Sequence, residues 1–375
     1  MGASQAEQVE ARVVKWSVPP LIDRYKEACQ DMSTEFHDAL CQTLQEFSVA
    51  LDLSNKGLKG TNLAPLCKVL NRQTNLLELH LSGNFLTTEC VQFLGSSLAS
   101  LHNLYQLNLN CTGLLSEHLQ LLAKNLSADA SYKLTDLDIG DNHIGDQSFG
   151  SLVLLTRHFR LKKLNLSGNK FSKDLFTYSF NKNLTLTLDQ IEEFDISDNN
   201  LNNDAIIKVL SGLPAANLKK LDVSRNSVSH GFLRELLTVW GELDDVKLQT
   251  LKLSRCYVHD SDLFDLLRMS NSLETLDLSY NNELTSISLR RLLQCEPLVN
   301  LDLYGCYNIF KYFTELSKYI DQPTNEQKGK TIKLSVDSHK NHEESEYLVN
   351  MWKELYGNRA VLKQNSRLLC LSVLK

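Results

Sequence analysis

Leu76-Leu77-Glu78-Leu79-His80-Leu81-Ser82-Gly83-Asn84-Phe85-Leu86 is the stretch that decides how this chain folds. It fits the template L-x-x-L-x-L-x-x-N-x-L at every specified position. The central Leu79-x-Leu81 has the two-residue alternation of a strand, so both leucines turn inward while His80 faces out. Asn84 follows where the chain must turn. Its amide carries donors and an acceptor, which suits it to satisfy backbone groups in a buried turn.

The frame returns on both sides of this stretch. It fits Leu134, Leu137, Ile139, Asn142 and Ile144, then Leu161, Leu164, Leu166, Asn169 and Phe171, then Ile191, Phe194, Ile196, Asn199 and Leu201. Leu218, Leu221, Val223, Asn226 and Val228 make a further copy, and Leu248, Leu251, Leu253, Cys256 and Val258 carry Cys in place of Asn. Leu273 to Asn281 and Leu298 to Cys306 follow, and weaker copies begin at Leu51 and Leu104, with Lys56 and Thr112 at the Asn position. Ten copies of one spaced template define a leucine-rich repeat. No copy can bury its own apolar face, so neighbours stack into one continuous core. The expected fold is an α/β solenoid of horseshoe form, with a parallel concave sheet, convex helices and terminal caps.

The last strand leucine of each copy falls at 53, 81, 109, 139, 166, 196, 223, 253, 278 and 303. Steps of 27 to 30 residues leave room for a full convex helix, and Cys90, Phe93, Leu94 and Leu98 have helical spacing, as do Ile206, Val209, Leu210 and Leu213. The last two steps, of 25, call for a shorter convex segment and a change of curvature. Phe171, Phe176, Tyr178 and Phe180 are expected on a convex helix, mostly as core. Residues 1–15 are expected as a linker, 16–47 as a helical cap with helices over 21–32 and 35–47, 48–320 as the repeats, and 321–375 as a C-terminal cap. Within that cap a polar loop over 321–330, a strand over 332–336, a helix over 343–356 and a closing apolar run over 368–374 are expected to cover the sheet edge.

The formal net charge is −6, which argues against broad binding to nucleic acid. The first ten residues hold no apolar run of signal-peptide length, and no stretch has the length of a membrane span. The nine cysteines are scattered singly with no CxxC pair, so free thiols in a reducing compartment are expected rather than disulfides or zinc. Phosphate-binding glycine loops, HExxH and GxSxG are all missing. His80 is the histidine best placed to meet a ligand, but an ordinary surface histidine is the favoured reading of it. The carboxylate pairs Asp136/Asp138 and Glu193/Asp195 could form an acid–base couple only in a desolvated pocket, of which the sequence gives no sign. The expectation is a monomer without catalytic activity, cofactor, metal, membrane or direct nucleic-acid partner.

The informative surface is the concave one. Repeats four to six supply Asp136, Asp138, Asp141, Glu193, Asp195 and Asp198 against Lys163, and repeats seven and eight supply Lys220, Arg225, Lys252 and Arg255 against Asp222. Repeats nine and ten add Tyr280 and Tyr304 beside Asp277 and Asp302. L-D-L-S is a common repeat consensus, so such aspartates often reflect the repeat itself. Yet strands lie ~4.8 Å apart, and two carboxylates at that distance repel by up to about 1 kcal/mol in water. Asp136, Asp138, Asp141, Glu193, Asp195, Asp198, Arg225, Lys252, Arg255, Tyr280 and Tyr304 are therefore the candidate protein-binding residues.

From Leu51 to Cys306 the repeats resemble the ribonuclease-inhibitor class, though ribonuclease inhibitor itself has more repeats and more cysteine. A narrower resemblance lies at the ends: Pro19-Pro20-Leu21-Ile22-Asp23-Arg24-Tyr25-Lys26-Glu27-Ala28-Cys29, Leu51-Asp52-Leu53-Ser54 and Leu63-Ala64-Pro65-Leu66, then Trp352-Lys353-Glu354-Leu355-Tyr356-Gly357 and Leu368-Leu369-Cys370-Leu371-Ser372. Together these resemble the C-terminal leucine-rich-repeat region of the Tonsoku-like family, over nearly the whole chain after residue 16. That resemblance implies a fragment of a nuclear scaffold that acts at stalled replication forks in homologous recombination. It implies docking to the large helical-repeat MMS-sensitivity protein, and a location at replication forks on chromosomes with the cytoplasm as a second compartment. The family's upstream tetratricopeptide and ankyrin modules, the latter reading histone H4 tails, have no counterpart in these residues. The alternative is a cytosolic regulatory repeat protein, either an innate-immune type of sensor or a GTPase regulator, although no catalytic arginine of the latter kind can be placed here.

If the cysteine reading is right, thiol titration of denatured, unreduced protein recovers all nine thiols. Recovery of seven or fewer from fresh protein contradicts it.

Overall fold

The computed structural model describes residues 18–128, 130–178, 181–186, 188–241, 246–268, 272–295, 297–311, 331–335, 342–365 and 367–373. The expected linker over 1–15, the polar loop over 321–330, and Phe180, Val336 and Leu374 lie outside the described residues.

Each L-x-L becomes a short strand. In chain order these are β1 Ala50–Asp52, β2 Glu78–His80, β3 Gln106–Asn108, β4 Asp136–Asp138, β5 Lys163–Asn165, β6 Glu193–Asp195, β7 Lys220–Asp222, β8 Thr250–Lys252, β9 Thr275–Asp277 and β10 Asn300–Leu303. Successive strands pair in parallel in sequence order. The central apolar residues stand in register from Leu51 through Leu79, Leu107, Leu137, Leu164, Phe194, Leu221, Leu251 and Leu276 to Leu301. None of them is more than 3% exposed. A parallel neighbour can be reached only by a crossover, and most crossovers here are helical.

The N-terminal cap consists of α1 Leu21–Asp31 and α2 Asp38–Glu46. The crossovers hold α3 Gly60–Val69, α4 Thr88–Leu98, α5 Ser116–Ala123, α6 Phe149–Thr156, α7 Asn203–Leu210, α8 Phe232–Trp240, α9 Leu263–Arg268 and α10 Ser286–Gln294. Local side chains set several starts: Thr87 accepts the Cys90 N–H, Asn202 the Ala205 N–H and Thr285 the Ile287 N–H. The first 25-residue step is met by a helix of six residues, but α10 keeps nine, so the second shortening falls in loops.

The crossover from β5 to β6 overturns an expectation. Its described residues form turns, with no helix. Phe171 is buried and Phe176 packs on the core, but Tyr178 is exposed. The physical cause is local. Asp146 accepts both the N–H and the hydroxyl of Ser172 at 2.8 and 2.6 Å. The Asn181 amide, fully buried, donates to the carbonyls of Asp146 and Leu175 at 2.7 and 2.9 Å. Side-chain bonds to backbone compete here with the helical ladder.

At the far end, β11 Thr331–Ser335 adds in parallel to β10. The chain then forms α11 His342–Tyr356, β12 Ala360–Gln364 and β13 Leu368–Val373. β13 inserts antiparallel between β11 and β12, so the outermost strand is β12, which the sequence pattern does not suggest. Trp352 is buried under this sheet and donates to the Ser372 carbonyl at 3.0 Å. At the near end the buried Arg24 guanidinium ties α1 to the first repeat through the Val69 carbonyl at 2.6 Å. No helix among the described residues is long and apolar enough to cross a membrane.

Beneath the strands runs a ladder of buried amides. Asn142 donates to the carbonyls of Leu109, Ile139 and Gly140, each at 2.9 Å, and accepts the Thr112 and Leu114 N–H groups at 3.0 and 2.9 Å. Asn199 repeats the pattern with the Asn169 and Phe171 N–H groups, and Asn281 with those of Cys256 and Val258. One rung differs. Asn169 donates to Ile139, Leu166 and Ser167, but its buried carbonyl oxygen has no hydrogen-bond partner among the described residues. Asn142→Leu should therefore cost more than Asn169→Leu in urea denaturation. Both should fall near 1–3 kcal/mol, the usual cost of stranding buried backbone groups. Equal costs would show that the acceptor half of the rung contributes nothing.

Candidate functional site

The concave side chains fall into three rows that run across the repeats. The first precedes each buried strand leucine. There Lys163 lies 3.7 Å from Asp136 and 3.6 Å from Glu193, and Lys220 lies 3.2 Å from Glu193. Asp136 and Glu193 are thus matched by neighbouring cations. Exposed pairs of this kind contribute about 0–1 kcal/mol each, so the row is close to neutral and adds little stability.

The second row lies between the paired leucines and aligns Asp138, Asn165, Asp195, Asp222, Lys252, Asp277 and Asp302. Its acids have a task inside the fold. Asp138 accepts the Gly140 N–H, Asp195 that of Ser197, Asp222 that of Ser224, Asp277 that of Ser279 and Asp302 that of Tyr304, all at 2.9–3.0 Å. Asn108 and Asn165 make the same bond. Each is a turn closed by the side chain two residues before the accepted amide. Burial pushes the Asp195 carboxyl above its ordinary range, and the facing Asp222 pushes it further. Burial also raises Asp138, against hydrogen bonds from the Gly140 backbone and the Asn165 and Asn110 side chains. Lys252 is held up by Asp222, 3.1 Å away, although burial opposes this. A groove of about 330 Å³ runs over this floor from Asn108 to Lys252.

The third row is not on the strands. Asp141, Asp198, Arg225, Arg255 and Tyr280 sit in the following turn, immediately before the ladder position, with φ between 50° and 60°. The same place is held by Gly83, Gly168 and Gly305 in other repeats. This left-handed residue points its N–H along the sheet: Arg225 donates to Ser254, Arg255 to Ser279 and Tyr280 to Tyr304, at 3.0 Å or less. The ladder is thereby carried past the strand ends, and the side chains emerge on the rim. Arg225 lies 3.9 Å from Asp198. The Arg255 guanidinium lies 4.4 Å from the Tyr280 ring centroid, and Tyr304 meets that ring edge-on at 5.7 Å.

Two exposed aromatics escape a reading of the strand positions alone. Tyr257 and Tyr307 are 69% and 71% exposed and directly follow the ladder residues Cys256 and Cys306. Their signal is the template itself, whose residue between N and the last L faces solvent, as the exposed Phe85 does in an earlier repeat. His80 is half-buried beside Glu78 at 3.4 Å. Among the described residues, no group of three or more His, Cys, Asp or Glu is arranged to hold a metal ion.

An open parallel sheet with a polar floor, backed by helices and joined by buried asparagines, is the architecture of a leucine-rich-repeat protein. Family models for the leucine-rich repeat match residues 131–148, 160–181 and 270–292. Over 317 residues, 80% of this chain, the sequence is 31% identical to the Tonsoku-like proteins of Mus musculus and Bos taurus. The chain carries a leucine-rich-repeat domain of the Tonsoku-like kind. It spans 23% of the length of those relatives. The solved Rad7 and Elc1 complex of yeast contains a chain similar over 79% of both chains, at 17% identity and a TM-score of 0.43.

The second row makes a testable demand. A carboxyl raised above its unfolded value favours folding only while protonated, and that contribution is lost as pH rises through the folded value. At neutral pH the Asp195 charge therefore opposes folding. Asp195→Asn keeps the acceptor for Ser197 and removes the charge. It should raise the thermal midpoint at neutral pH, with the gain vanishing towards about pH 4, the ordinary aspartate range. A gain independent of pH would contradict this account.

Proposed function

We propose that this chain is a non-catalytic docking module of a nuclear scaffold that serves homologous recombination at stalled replication forks on chromosomes. Its partner in this reading is the large helical-repeat MMS-sensitivity protein of the Tonsoku-like complex. The observation that carries the reading is the 31% identity to Tonsoku-like proteins over 80% of the chain. The geometry supports a docking role, because the groove is open and its floor charges are matched by neighbours or engaged in turns. Such a surface can hold an extended partner. The rim supports an orientation: Asp141 and Asp198 precede Arg225 and Arg255, and the aromatic pair Tyr280 and Tyr304 follows. The floor residues Asp136, Asp138, Glu193, Asp195 and Lys252 lie alongside. Opposed charges steer association, while buried aromatic anchors hold the complex.

Kinetics of binding to the purified helical-repeat partner test this. Asp141→Lys with Asp198→Lys should slow association at low salt by about tenfold and flatten its salt dependence. Tyr304→Ala should chiefly speed dissociation. If the double reversal leaves both the association rate and the salt slope unchanged, the partner docks on the convex side or the caps.

A further inference from the structure

Three successive repeats pay for side chains that the turn does not need. Left-handed backbone crowds any Cβ, and Gly83, Gly168 and Gly305 occupy the same turn position with the same geometry. Glycine is therefore compatible with the fold there. Yet Arg225, Arg255 and Tyr280 hold this position at φ of 56°, 56° and 60°.

These side chains are also held in place. A Cβ built on Gly305 would lie 2.4 Å from Cδ1 of Tyr280, so the bare glycine is the seat on which the Tyr280 ring rests. Arg255 stacks on the same ring and Tyr304 braces its edge. Beneath them Ser279 donates to the Ser254 hydroxyl at 2.8 Å. A partner that meets an already ordered guanidinium and ring gives up less side-chain entropy. Tyr257 and Tyr307 project from the turns of the same repeats and are the two most exposed large apolar residues of the described chain.

The charges select the partner. Lys252 is matched by Asp222, Lys333 by Asp302 and Arg225 by Asp198. Among the described residues, Arg255 lies within ion-pair distance of no carboxylate, although it is exposed. We infer that the rim of repeats seven to ten, centred on Arg255 and Tyr280, docks an extended acidic protein segment. The segment sets a carboxylate on Arg255 and apolar side chains against Tyr257, Tyr280 and Tyr307. This rests on the docking reading above and adds the chemistry of the bound segment. A polyphosphate strand fits less well: of Arg225, Lys252, Arg255 and Lys333 only Arg255 is unmatched, which suits a single carboxylate flanked by apolar side chains and not a charge on every residue.

The test uses the full chain and three labelled probes in fluorescence anisotropy: a short peptide of alternating Glu and Leu, its counterpart with Gln for every Glu, and a single-stranded thymidine oligonucleotide. The acidic peptide should bind at least about tenfold more tightly than the Gln peptide, and the oligonucleotide should not compete. Arg255→Gly and Arg225→Gly relieve the left-handed strain, so they should keep or raise the thermal midpoint. Arg255→Gly should nevertheless weaken the acidic peptide by at least about tenfold, and Tyr280→Gly by a similar factor. Unchanged peptide affinity in a folded Arg255→Gly protein overturns the inference, as does oligonucleotide binding that depends on Arg255. Binding of the helical-repeat partner is measured in parallel. Its absence from the unaltered chain would sink the docking reading and leave the peptide result standing, so the two failures are distinguishable.

Discussion

Every feature of this solenoid hangs on a buried amide that does the work of water. Each turn leaves carbonyl and N–H groups where solvent cannot reach, and burying them unpaired would cost about 1–3 kcal/mol for each group. Asn142, Asn199 and Asn281 resolve this by joining their own turn to the one before, with donors on one side and an acceptor on the other. Where cysteine stands instead, only the donor half survives. The Cys306 thiol donates to the Leu278 carbonyl at 3.2 Å, and Cys256 reaches Val223 at 3.5 Å. Burial lifts both thiols to about 12, which keeps the proton that makes the bond.

A ladder of this kind forces neighbouring repeats into one register, and the register decides what the concave face can be. Side chains in equivalent positions are stacked a strand spacing apart, so charge must be matched, alternated or put to use. The first row alternates Asp136, Lys163, Glu193 and Lys220. The second row uses its carboxylates to close turns. Much of the acidic character of the face thus belongs to the fold. The rim is under weaker control, because glycine, asparagine, arginine and tyrosine all satisfy the same backbone bond there.

The helix missing between β5 and β6 illustrates how local bonds can redirect a repeat without breaking the ladder. Phe171 still enters the core and Leu186 and Leu188 still fill it, yet Asp146 and Asn181 hold the connecting chain in turns. The same place holds the Asn169 rung that lacks an acceptor contact. The sheet passes through this region unaltered, with Leu164 still paired in register with Phe194.

The sequence by itself determined the strands, their order, their inward leucines and the buried asparagines, because these follow from a short template repeated ten times. The period of a strand and the chemistry of an amide leave few other arrangements. It determined the helical caps less fully, and β12 not at all, since Ala360 to Gln364 carries no alternation and becomes a strand only by pairing with β13. Tertiary structure alone decided which charges are free. In the sequence Asp138, Asp195 and Asp198 look alike, but two close turns on a half-buried floor while the third stands on the rim. Likewise Lys252 and Arg255 are three residues apart, yet one faces Asp222 and the other lies on Tyr280. Those differences arise between repeats, from side chains about thirty positions apart brought to one strand spacing, and no local pattern records them.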